Sequence, residues 1–539
     1  MKKLKKAAGV LLALALALVT LLGTGTAVRA EDTTSATGNS LTITNTGVTA
    51  HTFELYQIFK GDYDKAQGVL SNLQWGSGIS SAGQDDYGTA ANKAKTLADG
   101  EAAAATAFAD ELMEKKYLTS PTESKEVASG ASYKFDSLDA GYYLVIDKAD
   151  TQSDVENGAY TSYIFQVVGE VTQNTKLDIP TVTKKVADSN DSVAAAVIDP
   201  AQVTDWYDTA DHDIGDSIPY CITGTLPTER FADYETYTTY TITDTLSAGL
   251  TPPAADKVKV YLETRGENNQ SVSTDITSDF TVTVKDQVLT VALASGHDMK
   301  KIAKTAADKI VVLYNATLNN NAVIGGIGNP NTVNLQYSNN PNQGGDGEKG
   351  KTPDDKNVVF TYELDVNKYR DNKDDPTNEA EFKLYKEYVD GDSRTVQEIK
   401  LINNGGSKGL TYVAQGLDDG IYILQETKAP AGYNKMDGSV DFGGTTYSNA
   451  VEFKITPTYE GGANPQVINL EVGRLNGAQA VFTGDAKTGK VSTDIIDQKG
   501  SSLPSTGGIG TTIFYVIGSV LVIGAGVLLV TRRRMNKKS

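Results

Sequence analysis

The sequence predicts a mostly-β chain of three tandem β-sandwich domains. The first carries a helical insertion, and a single membrane-spanning helix stands near the C-terminus. Three observations support this. Threonine, tyrosine and valine are plentiful and Gly/Asn/Asp turns are frequent, the composition of short strands joined by tight turns. Two motifs recur in order: Thr52-Phe53-Glu54-Leu55-Tyr56 as Glu381-Phe382-Lys383-Leu384-Tyr385, and Leu138 to Asp147 as Leu417 to Glu426. They mark two β-domains of related design on either side of a segment lacking both. Gly508 to Thr531 carries no charge and is long enough to cross a bilayer as one helix.

Taken in order, residues 1–30 read as a signal peptide. Lys2, Lys3, Lys5 and Lys6 precede the apolar run Ala7 to Leu22, and Val28-Arg29-Ala30 supplies the small residues a signal peptidase reads. The first β-domain is placed at 31–177. Ala104, Phe108 and Leu112 fall on one face at i, i+4 spacing, so the insertion is a helix packed on its core. The middle sandwich is placed at 180–340, where Tyr240, Ile242, Asp244 and Leu246 point one way by period two. The Gly/Asn-rich, charged stretch 341–357 reads as a linker, and the third β-domain as 358–499. Arg532-Arg533-Arg534 and Lys537-Lys538 make 532–539 a basic cytoplasmic tail behind a membrane helix at 508–531, so everything before Leu503 lies outside.

Composition excludes several functions. A net charge of −19 argues against nucleic acid or an anionic membrane surface as partner, since both demand basic surface. His51, His212 and His297 are scattered, no metal-ligand spacing is present, and no cofactor or enzymatic turnover of an external substrate is implied. Asp211-His212-Asp213 reads as a solvated loop. Cys221 is the one cysteine and forms no intramolecular disulfide; within Ile218-Pro219-Tyr220-Cys221-Ile222 it reads as a small core residue. A disulfide-free exported chain must be toughened in another way.

Leu503-Pro504-Ser505-Thr506-Gly507, followed by the apolar run and the basic tail, resembles the cell-wall sorting signal of Gram-positive surface proteins. The resemblance implies that a sortase cuts between Thr506 and Gly507 and transfers the Thr506 carboxyl to an amine.

The chemistry-bearing residues lie inside the sandwiches. Phe360, Tyr362, Leu364 and Val366 form one face of a strand, and the next residue on that face is Lys368. Val491, Thr493 and Ile495 lead likewise to Asp497, and Tyr422 and Leu424 to Glu426. Burial disfavours the charged form of each; three ionisable groups aimed at one core must react or pair. Tyr422-x-Leu424-x-Glu426-Thr427-x-Ala429-Pro430-x-Gly432-Tyr433 resembles the E-box of Gram-positive pilins. The domain is similar to the B-type collagen-adhesin fold, an immunoglobulin-like sandwich that forms an intramolecular isopeptide bond. The resemblance implies Lys368 as nucleophile, Glu426 as catalyst and Asp497 as electrophile. The commoner pattern has asparagine where Asp497 stands, so water would leave instead of ammonia. The alternative is an unreacted Lys-Asp-Glu ion cluster.

The same logic in the middle domain gives Lys184 and Asn331 as a second isopeptide pair, with Asp244 as catalyst and Asp216 as the other candidate acid. The first domain offers no lysine on its opening strand Leu41 to Asn45. Asp147, at the position equivalent to Glu426, has no evident client, so this domain reads as non-reacting.

The layout resembles the major (backbone) subunits of sortase-assembled pili. It implies polymerisation by a class C pilus sortase, joining Thr506 to a lysine of the next copy, with a housekeeping sortase attaching the polymer to peptidoglycan and accessory pilins as further partners. The Tyr-Pro-Lys pilin motif of the family is missing. Lys176, in Asn174-Thr175-Lys176-Leu177, stands at the corresponding junction as the candidate acceptor, with Lys185 as the alternative. A monomeric wall-anchored adhesin or minor pilin built from the same domains is the other reading. The sequence does not name an adhesion ligand.

Overall fold

The computed structural model describes residues 38–501 and 509–535, apart from 65–68, 100, 149–154, 168–169, 176, 189–198, 229, 267–269, 342–347 and 405–410. The signal peptide, the LPSTG motif and Lys176 therefore lie outside the described residues.

In the first domain, Asn39–Thr44 lies between Ser132–Leu138 and Glu170–Asn174, antiparallel to the first and parallel to the second. The facing sheet runs Val69–Trp75, His51–Asp64, Gly141–Asp147, Ser162–Val167, with Glu123–Val127 on its edge. Tyr142 to Val145 is an unbroken apolar run because both faces of this sheet are covered. Tyr143 and Val145 join Leu41, Ile43, Phe53 and Phe135 between the sheets. Tyr142 and Leu144 meet Phe59, Phe108 and Leu112 under the insertion. That insertion is three helices, Ser81–Tyr87, Ala90–Asp99 and Glu101–Glu114. The Ser80 hydroxyl caps the first by accepting from Gly83 N at 3.3 Å, which satisfies one of the free N–H groups of the opening turn.

The middle sandwich sets Val182–Val186, Ser217–Gly224, Lys309–Leu318, Lys259–Arg265 and Ser271–Asp275 against a second sheet. That sheet runs Thr209–Asp211, Asp355–Phe360, Asn329–Ser338, Tyr240–Leu246, Val288–Leu293, Phe280–Lys285. Tyr240, Ile242, Asp244 and Leu246 are all buried, with half-buried or exposed threonines between them. Cys221 departs from expectation. It lies opposite Lys185 on the outer, half-buried face of Ser217–Gly224, while Tyr220 and Ile222 fill the core.

The expected linker at 341–357 is corrected in its described part. Lys349–Lys351 pairs with Asn329–Ser338. Asp355–Phe360 pairs with the same strand in the register Asn331↔Asn357, Val333↔Asp355, and parallel to Thr209–Asp211 on its other side. Lysines and aspartates in these short strands give a loop-like composition to backbone that is paired into the sheet. The middle domain thus ends at 360, not 340. Val359 packs in the middle core and Val358 and Phe360 in the third-domain core, so one strand serves two sandwiches. The first domain is joined comparably: Val155–Glu156 pairs parallel with Lys349–Lys351, and the Tyr337 hydroxyl donates to Gly158 O at 3.0 Å.

In the third domain, Tyr362–Arg370 sits between Thr411–Leu417 (antiparallel) and Lys490–Asp497 (parallel). The facing sheet runs Ser393–Ile399, Glu381–Asp390, Gly420–Lys428, Ala450–Glu460, Gln466–Gly477. The repeated motifs occupy matching places: Phe53 pairs with Asp147 in the first domain, and Phe382 with Glu426 here. Ile509–Met535 is one helix that continues through the three arginines. Its Thr512–Met535 stretch is apolar and long enough to cross a membrane and is buried against nothing.

Because Phe360 is fully buried in a strand common to two domains, Phe360→Ala is expected to cost about 3–5 kcal/mol. It should lower the trypsin resistance of the middle and third domains together. Cleavage confined to sites after residue 361 would show instead that the two sandwiches unfold independently.

Candidate functional site

Period-two alternation delivers Lys368 and Asp497 to one inner face from adjacent parallel strands, and Glu426 reaches them from the opposite sheet. All three side chains are shut off from solvent. Lys368 Nζ lies 2.9 Å from Glu426 Oε1 and in direct contact with Asp497 Oδ1. Neither approach follows a hydrogen-bonding direction: Nζ, Glu426 Oε1 and both Asp497 oxygens lack a hydrogen-bond partner among the described residues. Glu426 Oε2 accepts from Met436 N at 2.7 Å, which fixes the carboxyl. Burial pushes the Glu426 carboxyl up to about 7 against the opposing pull of Lys368. The site thus holds an amine against one carboxyl group, with a second, readily protonated one beside it.

The middle-domain centre is assembled across the sandwich. Val182–Val186 contributes Lys184 from one sheet, while the other brings Asp244 and Asn331. All three residues are fully buried. Lys184 Nζ is 2.8 Å from Asp244 Oδ1, and burial holds the amine below the ordinary lysine range, with Asp244 opposing. Tyr220 and Tyr314 stack beside it with centroids 5.2 Å apart, and Lys184 Nζ lies 4.8 and 5.1 Å from their rings. The Tyr314 hydroxyl accepts from Lys184 Nζ (2.8 Å) and Asn331 Nδ2 (2.9 Å) and donates to Asp244 Oδ2 (2.5 Å). Asp216 is elsewhere, accepting from Asp213 N at 2.9 Å in a turn.

Comparison with known proteins follows the same division. Residues 214–341 match the family described as "Gram-positive pilin backbone subunit 2, Cna-B-like domain", 362–456 a "Prealbumin-like fold domain", and 496–537 the "LPXTG cell wall anchor motif". These matches support a Gram-positive backbone pilin. The chain is 26% identical over 408 residues to the trypsin-resistant surface T6 protein of Streptococcus pyogenes serotype M6, covering 67% of this chain and 70% of the relative. Among solved structures, the T6 backbone pilin of that serotype is similar with a TM-score of 0.46 at 17% identity, over 86% of this chain and 99% of the other. The major pilin SpaD of Corynebacterium diphtheriae gives 0.42 at 17%, over 86% and 98%. With the anchor motif and the apolar helix beyond it, the pilin is a cell-wall-anchored surface protein.

Three features of the pilin escaped the sequence reading. Asp147 does have a client: its Oδ2 lies 2.6 Å from His51 Nδ1, both groups being buried. The first domain thus holds a His–Asp pair where the third holds lysine and two acids. His51 precedes Phe53 by two residues, and a histidine opening a strand gave no signal of its own. Asp211-His212-Asp213 is not solvated. Asp211 accepts from Tyr459 Oη (2.5 Å) and Asp419 N (2.6 Å). Asp213 accepts from Asp418 N at 2.9 Å and from the fully buried Lys386 Nζ at 2.6 Å; that amine also donates to Asp418 Oδ2 at 3.2 Å. Lys386 therefore spans the middle and third domains as a hydrogen-bonded ion pair. Tyr314, the third omission, alternates with Ile310, Val312 and Ala316, and a tyrosine in that pattern reads as an ordinary core aromatic.

The candidate acceptor Lys176 and the sorting residues Leu503, Pro504, Ser505, Thr506 and Gly507 lie outside the described residues. Lys185 is partly exposed and pairs with Asp208.

In Lys368→Met no amine is left to oppose burial at Glu426. Between 4.5 and the raised folded value of about 7, the unfolded chain has released this proton while the folded chain holds it, so stability falls as pH rises. From about pH 5 to 8 the loss should be on the order of 3 kcal/mol. Adding Glu426→Gln should flatten the profile. Thermal unfolding across this range checks it, and a flat profile for Lys368→Met alone would mean that water levels the site.

Proposed function

We propose that this pilin is the structural backbone subunit of a covalent pilus. A class C sortase joins Thr506 of one copy to a lysine of the next, and intramolecular Lys368–Asp497 and Lys184–Asn331 amides hold each subunit together. The observation that carries the reading is Lys368 enclosed with Glu426 and Asp497, where burial opposes a standing ion pair. The neutral amine attacks Asp497 Cγ, protonated Glu426 polarises the carbonyl and moves protons, and water leaves. In the middle domain Lys184 attacks Asn331 Cγ beside Asp244, and ammonia leaves. Lys176 is the proposed acceptor, with Lys185 as the alternative. A housekeeping sortase then transfers the finished polymer to peptidoglycan.

Each amide closes a loop of more than about 100 residues, which by analogy with disulfides stabilises its domain by on the order of 5 kcal/mol. Unlike a disulfide, an amide resists reduction.

Intact mass of the folded chain should be lower by about 17 Da for the middle bond and about 18 Da for the third-domain bond, from the ammonia and water released in acyl transfer. Glu426→Ala should abolish only the second loss. The full calculated mass in the unmodified protein would make these residues a buried polar cluster and nothing more.

Wall extracts boiled in detergent should show a ladder of high-mass bands, collapsing when Lys176 is replaced by arginine. One band in the parent would favour the monomeric adhesin. A ladder persisting in Lys176→Arg but lost in Lys185→Arg would move the acceptor to Lys185.

A further inference from the structure

The middle-domain centre differs from the third-domain centre in how its groups are connected. Lys368 meets both carboxyl groups directly. In the middle domain Asn331 Oδ1 has no hydrogen-bond partner among the described residues, and the Asn331 amide nitrogen is held by the Tyr314 hydroxyl. That hydroxyl also touches Lys184 Nζ and Asp244 Oδ2. One phenolic oxygen thus stands within 3 Å of the attacking nitrogen, the leaving nitrogen and the acid.

Amide formation here has a fixed proton account. Lys184 Nζ must lose one proton, Asn331 Nδ2 must gain one, and ammonia departs as the C–N bond to Nζ replaces the C–N bond to Nδ2. Asp244 lies beside Nζ, yet the group resting on Nδ2 is Tyr314. We propose that Tyr314 is a further catalytic residue of this centre, relaying the proton from Asp244 to the leaving nitrogen; the inference rests on the isopeptide reading of Lys184 and Asn331.

The cycle closes without any outside reactant. It begins with Lys184 neutral, Asp244 protonated on Oδ2, and the Tyr314 hydroxyl proton turned from Asp244 Oδ2 toward Nδ2. As Nζ attacks Asn331 Cγ it gives a proton to Asp244 Oδ1, 2.8 Å away. Asp244 Oδ2–H passes its proton to the Tyr314 oxygen, and the phenol's own proton goes to Nδ2. Ammonia leaves, Asp244 ends protonated on the other oxygen, and Tyr314 ends as the neutral phenol. No free tyrosinate is required, which suits a buried ring whose ionisation is opposed by burial and by Asp244. The stacked Tyr220 ring and the packing of Lys184 over both rings hold the hydroxyl in place.

The test follows the full chain through cell-free synthesis, with samples digested over time and the Lys184–Asn331 and Lys368–Asp497 cross-linked peptides quantified by mass. Tyr314→Phe keeps the ring and its stacking and removes only the relay. The middle-domain bond should form about 10²–10⁴-fold more slowly, while the third-domain bond forms at the parental rate. Formation of both bonds at parental rates in Tyr314→Phe would overturn the relay and leave the isopeptide reading intact. A parent chain that never links Lys184 to Asn331 would sink that reading itself. If Tyr314→Phe leaves the middle domain open to trypsin, 3,5-difluorotyrosine placed at 314 retains hydroxyl and fold but makes the phenol more acidic. A several-fold change in the rate of the Lys184–Asn331 bond would then support the relay, and an unchanged rate would overturn it.

Discussion

Much of this molecule depends on the cost of placing a lysine ammonium inside a β-sandwich. Both centres are shut off from solvent, so the amine has two stable outcomes: a fully hydrogen-bonded ion pair, or loss of its charge. The pilin contains both arrangements. Lys386 donates to two carboxylates, and Asp213 and Asp418 each accept a backbone N–H as well. Burial raises the Asp213 carboxyl and the Lys386 amine opposes that shift, so the pair is held by its completed hydrogen bonds. Lys368 meets Glu426 Oε1 and two Asp497 oxygens that have no hydrogen-bond partner among the described residues, and burial pushes the Glu426 carboxyl up to about 7. The same residue types therefore give a clamp at one place and a candidate reaction centre at another, and hydrogen-bond completeness separates the two.

Period two was the part of the fold most legible from sequence. It placed Lys368, Glu426 and Asp497 on inner faces, and it did the same for Lys184, Asp244 and Asn331, because a strand buried on one face admits no other phase. The repeat of Phe53 and Phe382 was equally informative, since each sits opposite the acid of its domain. Contacts made across domains were illegible. Lys386 follows Phe382 and Leu384 on one buried face of its strand, yet nothing near it in sequence points to Asp213. Strand Asp355–Phe360 was hidden because its hydrophobic half belongs to two different cores, so neither alternation is visible over its length. Tyr314 was hidden for the opposite reason: it fits the core pattern so well that its hydroxyl drew no notice.

The junctions make the described domains less separable than the repeat pattern implies. Parallel pairing of Val155–Glu156 with Lys349–Lys351 joins the first domain to the middle one. Val358 to Phe360 and the Lys386 pair join the middle domain to the third. Each junction uses main-chain pairing at its centre, which fixes orientation more firmly than side-chain contacts between two exposed surfaces.

The parallel pairing of Tyr362–Arg370 with Lys490–Asp497 has a mechanical consequence. The chain enters the third domain at the start of the first of these strands and leaves it at the end of the second. Opposite pulls on the two ends therefore slide the strands past one another, and the whole ladder from Glu363↔Lys490 to Arg370↔Asp497 resists at once instead of opening bond by bond. With the proposed amide between Lys368 and Asp497, force would cross between the strands after only a few residues. Everything from 369 to 496, including the hairpin Ser439–Ser448, would then hang outside the path of the load.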